Sequence, residues 1–304
     1  MDATLLMVKK EEKKIARITW LKGIVYILPS LVLFGIFVIY PFAKTIAQSF
    51  YLSDNRGFAT VFTGLDNYTS LFANSAYRKS LLNTLLYTLL TVPLTVIISL
   101  LLAVLSSYNW RGMGVLRTIF TSTMGISVAA GSVFWSFLFH PTVGLLNSII
   151  TKLGGEKIGW LIDPKYALVS VSIVTIWMNI GFSYLILMGG IKNIDNSFYE
   201  SADIVGGGFW YRLRKITIPL LSPSLFFVFV TAIIGAFKSF GVIHMLTSGG
   251  PVNSTNLLVY SLYKEAFVNF QYGTASAQGV VLFLIIFAIS MLQTKLTEKW
   301  VTYQ

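Results

Sequence analysis

Cysteine is absent from the 304 residues. No disulfide, thiolate metal site or cysteine nucleophile can be built. Only two histidines occur, too few for a multi-histidine metal site. Charge is scarce: Asp, Glu, Lys and Arg make up 12% of the chain, against about 25% in a soluble domain. Acidic residues are scarcer still, 12 against 23 basic ones, for a net charge of +11. No G-x-x-x-x-G-K-[ST] segment occurs, so no phosphate-cradling loop for ATP is present. A chain that is 55% apolar, with a mean hydropathy of +0.72, cannot clothe a water-soluble globule of this size. It reads as an all-α polytopic membrane protein. In that class a basic excess points to cytoplasmic loops and anionic lipids, not to nucleic acid.

What is present is a series of long windows free of acidic residues. A crossing helix needs about 20 apolar residues. The windows are 23–43, 80–110, 118–139, 166–191, a fifth opening at 216, and 266–294. Each is long enough to cross once, which gives six transmembrane helices and places both termini on one side. With the termini inside, 14 of the 23 Lys and Arg residues fall on inner segments. The run Lys9, Lys10, Lys13, Lys14, Arg17 and Lys22 carries most of that bias, while Arg78 and Lys79 oppose it. This run followed by 24–40 also fits a signal peptide, but the flank lacks a clear small-x-small cleavage site. The expected organisation is a cytoplasmic basic tail (1–22), a first helix and outer loop (23–79), a core membrane domain (80–293) with an inner loop at 192–219, and a C-terminal tail (294–304). The outer segment 44–79 reads as turns, or as a short folded cap.

The inner loop reads NIDNSFYESADIVGGGFWYRLRKITIPLLSP. Ser197 and Glu200 stand at capping-box spacing, which predicts a helix from Phe198. Gly206 to Gly208 can end it. Phe198, Ala202 and Val205 fall on one face. Two turns are too short to hold in water, so this helix must dock on something. Phe209, Trp210, Tyr211 and Arg212 would also suit a lipid surface.

This segment resembles the inner-loop signature of permease subunits of binding-protein-dependent ATP-binding-cassette importers. That signature is Glu-Ala-Ala, three residues, Gly, nine residues, Ile-x-Leu-Pro. Here it stands as Glu200-Ser201-Ala202, Gly206 and Ile216-x-Ile218-Pro219, with Ser201 and Ile218 as departures. HMLTSGGPVNSTNLL and GLDNYTSLF are similar to segments of the sugar-type branch, the maltose and glycerol-phosphate permeases. That branch often has Asp after the Phe preceding Gly-Gly-Pro; here Gly241 follows Phe240.

The resemblance implies a type I importer permease fold in a bacterial cytoplasmic (inner) membrane, with both termini cytoplasmic. It implies half of a pathway for an oligosaccharide, polyol, glycerol phosphate or uronate, and an ATPase-coupling role for Glu200, Ser201, Ala202, Gly206, Ile216 and Pro219. The implied partners are a second, paralogous permease subunit, two cytoplasmic ATPase subunits carrying ATP and Mg, and an extracellular or periplasmic solute-binding protein, beside membrane lipids. No cofactor and no metal is expected on this chain, no nucleic acid as a partner, and no enzymatic activity.

Substrate-pathway candidates come from polar residues in apolar windows. Lys238 is the one Lys or Arg between Ile216 and Tyr263. From a helix start at Pro219 it lies about 29 Å along. Two readings stand: it holds an anionic group, or it snorkels to the outer headgroups. Asn179, Phe182, Ser183 and Tyr184 in the fourth window, and Phe237 and Ser239 in the fifth, suit a sugar or serve as glue between helices. A channel or an ion-coupled carrier is the alternative; absence of acidic residues from the windows disfavours proton coupling, though sodium can be held by carbonyls. A more remote reading is an intramembrane serine protease, with Ser183 in Gly181-Phe182-Ser183-Tyr184 and His244 as base.

Overall fold

A computed structural model describes residues 19–20, 22–54, 56–108 and 110–300, with side chains to residue 295. The tail residues Lys9, Lys10, Lys13, Lys14 and Arg17, and the last four residues, lie outside the described set.

Four helices are long and apolar enough to cross a membrane unbroken: α1 (Lys22–Gln48), α3 (Ser75–Ser107), α7 (Pro164–Lys192) and α13, whose crossing part is Tyr272–Lys295 of Tyr272–Trp300. Two further crossings are bent pairs. α4 (Met113–Ser122) with a short 3-10 turn meets α5 (Val128–Leu138) at 108°, and α9 (Phe209–Leu220) meets α10 (Ser222–Phe237) at 69°. The count of six spans stands, with these two windows bent rather than straight. In the first pair Ser127 supplies the new N-cap, its Oγ accepting from the Ala130 N–H at 3.2 Å. In the second, Pro223 sits in the first turn of α10, where a missing N–H costs nothing. Pro41 likewise lies at the start of a segment, after a π-helical turn at Gly35–Ile39, whereas Pro93 lies inside α3.

The sixth window begins too early. Ala266 belongs to a separate α12 (Leu258–Phe267), and the last span starts at Tyr272 after an irregular break. The outer segment is a folded cap. A hairpin pairs β1 (Tyr51–Ser53) with β2 (Ala59–Phe62) antiparallel, and α2 (Asp66–Ala73) follows. Asp54 makes its turn, one carboxylate oxygen accepting from the Arg56 and Phe58 N–H groups at 3.0 and 2.8 Å. Asn67 donates to the Ser49 and Tyr51 carbonyls, and Gly273 N–H donates to Ser53 Oγ, so the cap sits on the start of α13. A Cβ at Gly273 would lie 2.2 Å from the Tyr51 carbonyl oxygen, so only glycine permits this approach.

The centre of the bundle is α3 beside α7. They run in the same direction: Tyr87 meets Thr175 early in both, and Ala103 packs with Leu187 late in both. A stripe at helical spacing on α3, Ser80, Thr84, Thr91, Thr95 and Ser99, is buried. Several of its hydroxyls donate to carbonyls one turn back, which allows burial without an acceptor from a partner helix. By contrast, α1 is exposed along its apolar length and touches the body near its C-terminal end, where Phe42 meets Phe283 at 4.8 Å. The Gly-Gly-Pro segment is clasped by the start of α3. Lys79 Nζ donates to the Val252 carbonyl at 2.7 Å, and Asn83 donates to the Asn253 and Asn256 carbonyls.

Candidate functional site

A hollow of about 410 Å³ opens between α3, α5, α7 and α10. Asn179, Phe182, Lys238 and Ser239 line it, and so does Ser183. The spacing of Thr175, Asn179, Phe182 and Ser183 puts them on one stripe of α7. Lys238 caps the C-terminal end of α10, where its charge meets the negative end of the helix dipole. Among the described residues its ammonium forms no ion pair. No Asp or Glu lines the hollow. Ser239 is held by Tyr87, whose hydroxyl lies 2.9 Å from Ser239 Oγ and donates to Thr175 Oγ1 at 2.6 Å. Asn179 is oriented by its amide donating to the Thr175 carbonyl at 2.8 Å, which leaves its amide oxygen as an acceptor.

Two of the expected pathway residues lie elsewhere. Tyr184 is 1% exposed and packs edge-on to Phe120 among Ala103, Leu187 and Met188. It is one residue, or about 100°, past Ser183 and so falls on the next face of α7. Phe237 is buried with Leu71, Tyr77 and Leu258, on the side of α10 away from the hollow. Thr91, Thr95 and Thr231 also line the hollow. The threonine stripe of α3 is the signal that would have found the first two.

Gly181 has a packing role. A Cβ there would sit 2.5 Å from Thr123 Oγ1 and 3.0 Å from the Phe120 carbonyl oxygen. Its N–H donates to Thr123 Oγ1 at 3.1 Å, so α7 seats against the break after α4. Ser183 lies mid-helix, and no histidine lines its hollow. His244 belongs to a cluster of Phe240, Tyr260 and Tyr263. The nucleophile-and-base arrangement is therefore not assembled.

The inner loop is a compact module. α8 spans Asn196–Ile204, and its N-cap is Asp195, not Ser197: the Asp195 carboxylate accepts from the Ser197 N–H at 2.9 Å. That bond, with one from the Ser197 hydroxyl, holds the Asp195 carboxyl below its ordinary range. The end of α8 is a Schellman turn. Gly206 takes φ +71°, its N–H donates to the Asp203 carbonyl at 3.0 Å, and Gly207 N–H donates to the Ala202 carbonyl at 2.7 Å. Arg212 secures the turn by pairing with the Asp203 carboxylate and donating to the Gly207 carbonyl.

Of the six coupling candidates, Ala202 and Ile216 are buried together with Ile194, which packs α8 on α9; Pro219 is half-buried. Tyr199 adds a hydroxyl contact to Thr217 at 3.1 Å. Gly206 makes the turn, while Glu200 and Ser201 are exposed. The inward face is thus Ile194, Tyr199 and Ala202. Phe198 and Val205, expected with Ala202, are 46% and 71% exposed, and Ile204 is 88% exposed. The helix turns Phe198, Ile204 and Val205 outward and Ala202 toward Ile216.

Residues 67–303 match the family described as binding-protein-dependent transport system inner membrane component. The chain is 33% identical over 278 residues to the sn-glycerol-3-phosphate transport system permease protein UgpA of Agrobacterium fabrum, an alignment covering 90% of this chain and 94% of the relative. It is 31% identical over 295 residues to the protein of the same name from Escherichia coli O157:H7, covering 96% and 99%. Among solved structures, a chain of a bacterial ABC transporter involved in the import of the acidic polysaccharide alginate superposes with a TM-score of 0.81, at 20% identity, over 96% of this chain and all of that one. That likeness speaks to the fold.

Proposed function

The chain belongs to the family of binding-protein-dependent transport system inner membrane components, and from that premise we propose how it works as the permease subunit of an importer. It is half of a translocation pathway, completed by a second permease subunit. The pathway runs through the hollow of α3, α7 and α10. The inner loop seats in a cytoplasmic ATPase subunit, and both termini lie on the same cytoplasmic side. Energy comes from ATP and Mg on two such subunits, and solute arrives on a binding protein.

The observation that carries this reading is the two-sided build of the loop. Its inward face packs on α9, where Ala202, Ile194 and Ile216 are buried together. Its outward face offers Glu200 with Phe198, Ile204 and Val205 uncovered. A stiff module, capped at both ends and apolar on its free side, is what force transmission between subunits needs.

The solute we infer is a small anionic polyol or acidic sugar. Lys238 supplies a charge with no acidic neighbour in the hollow, and Asn179, Ser183 and Ser239 supply amide and hydroxyl groups. The relatives named above belong to transport systems for glycerol 3-phosphate, a solute of that character. The test is Glu200→Ala in the reconstituted complex. Transport and ATPase assembly should fall while membrane insertion stays intact. Unchanged transport would remove the coupling role.

A further inference from the structure

A second cavity, of about 480 Å³, lies at the loop end of the bundle. Its walls are the ends of α3 and α7, the side of α4, and the inward side of the loop. Three cations line it: Arg117, Lys192 and Arg212. No Asp or Glu does. Arg212 is neutralised by Asp203. Arg117 and Lys192 have no ion pair among the described residues. Arg117 spends two N–H groups, from Nε and Nη2, on the Ser106 carbonyl at 3.1 and 2.6 Å. A guanidinium has five, so three remain. Lys192 and the Asn196 amide, also on the wall, form no side-chain hydrogen bond among the described residues.

Arg117 is half-buried and Lys192 exposed on the wall of this partly enclosed space, and the same wall carries no acidic side chain. Arg and Lys with amide and hydroxyl donors form the donor set that a phosphate group satisfies. We propose that this cavity is an anion site for a phosphate group, carried by a phospholipid headgroup or by a soluble phosphoester. Filled, it bridges Arg117 on α4, Lys192 at the end of α7 and Asn196 on α8. The loop is then tied to the spans by charge as well as by the Ala202 contact. Occupancy sets how stiffly the loop follows the bundle, so ATP turnover responds to lipid composition or phosphoester level. That last consequence rests on the coupling role of the loop; the binding does not.

The test uses the complex with its partner subunits. In one arm the detergent-purified complex is offered phosphatidylglycerol or phosphatidylcholine, and retained lipid is read by native mass spectrometry. In the other, the delipidated complex is melted in sodium phosphate or sodium chloride at equal ionic strength. The wild type should retain phosphatidylglycerol selectively, or be stabilised by phosphate over chloride; which arm responds identifies the source. Arg117→Gln with Lys192→Gln should weaken that binding about tenfold or more. Arg111→Gln with Lys215→Gln removes two cations that do not line the cavity and should leave it intact. Because Arg117 also holds Ser106, Lys192→Gln alone guards against misfolding, and it should weaken binding several-fold. No anion preference in either arm, equal losses in both double variants, or unchanged binding in Lys192→Gln would overturn the site.

Discussion

At the scale of single residues, chemistry and position must both be known, and the sequence carries mostly the first. Lys238 is visible as an isolated cation in an apolar stretch, but its direction is not. The structure places it on the wall of the hollow with Asn179 and Ser239. Lys238→Gln should weaken uptake of an anionic solute about tenfold or more, because a charge-assisted bond is replaced by a neutral one. Uptake measured against a neutral sugar of similar size separates this from a general defect. Equal loss for both solutes would return Lys238 to a structural role. Tyr184 and Phe237 show the limit of composition: each is an aromatic near polar residues, yet one residue of helical rotation sends it to another face. Asp195 shows another limit. Ser197 with Glu200 is a good capping signature, but Asp195 stands two residues earlier and competes better. Its lowered pKa means the cap is intact above the ordinary carboxylate range and is lost as pH falls through the lowered value. A loop labelled with a spectroscopic probe should fray only in strong acid; fraying between pH 5 and 7 would contradict this.

At the scale of elements, two glycines decide how helices end and meet. Gly206 holds φ +71° in the Schellman turn. Gly206→Ala should cost about 1–2 kcal/mol of local stability, and Gly206→Asn less, since Asn tolerates that conformation. Limited proteolysis of the loop checks this, and equal resistance in all three proteins would count against it. Gly181 seats α7 on the broken fourth helix. Gly181→Ala should cost about 1–3 kcal/mol through overpacking, seen as a lower melting temperature of the purified complex. An unchanged melting temperature would mean that the α4–α5 break yields easily. The inner loop's helix and its glycine end were readable because their residues follow one another in the chain, whereas the Asp195 cap and the buried face of Ile194, Tyr199 and Ala202 were not. The bends of 108° and 69° were not. Hydropathy measures whether a segment is apolar, and a bent pair is as apolar as a straight helix. The cap at 51–73 was half readable: Asp54 to Gly57 announces a turn, but the seat of the hairpin on α13 is made by residues such as Gly273 that lie far along the chain.

At the scale of the whole molecule, the crossing windows hold no acidic residue and cations gather at both ends of the bundle. Arg117, Lys192 and Arg212 meet at one end, and Lys79 lies at the other with the Gly-Gly-Pro segment. The chain contains no cysteine, so any introduced cysteine is a unique reporter without background. The central claim is that the inner loop faces the cytoplasm and seats its outward face on an ATPase subunit. Ile204 is the most exposed apolar residue of that face, at 88%. The most direct measurement is labelling of Ile204→Cys by a membrane-impermeant maleimide in oriented vesicles, with and without the ATPase subunit. The account predicts labelling from the cytoplasmic side alone, and strong protection once the ATPase subunit is bound. Labelling from the outer side, or equal labelling with and without that subunit, would contradict it.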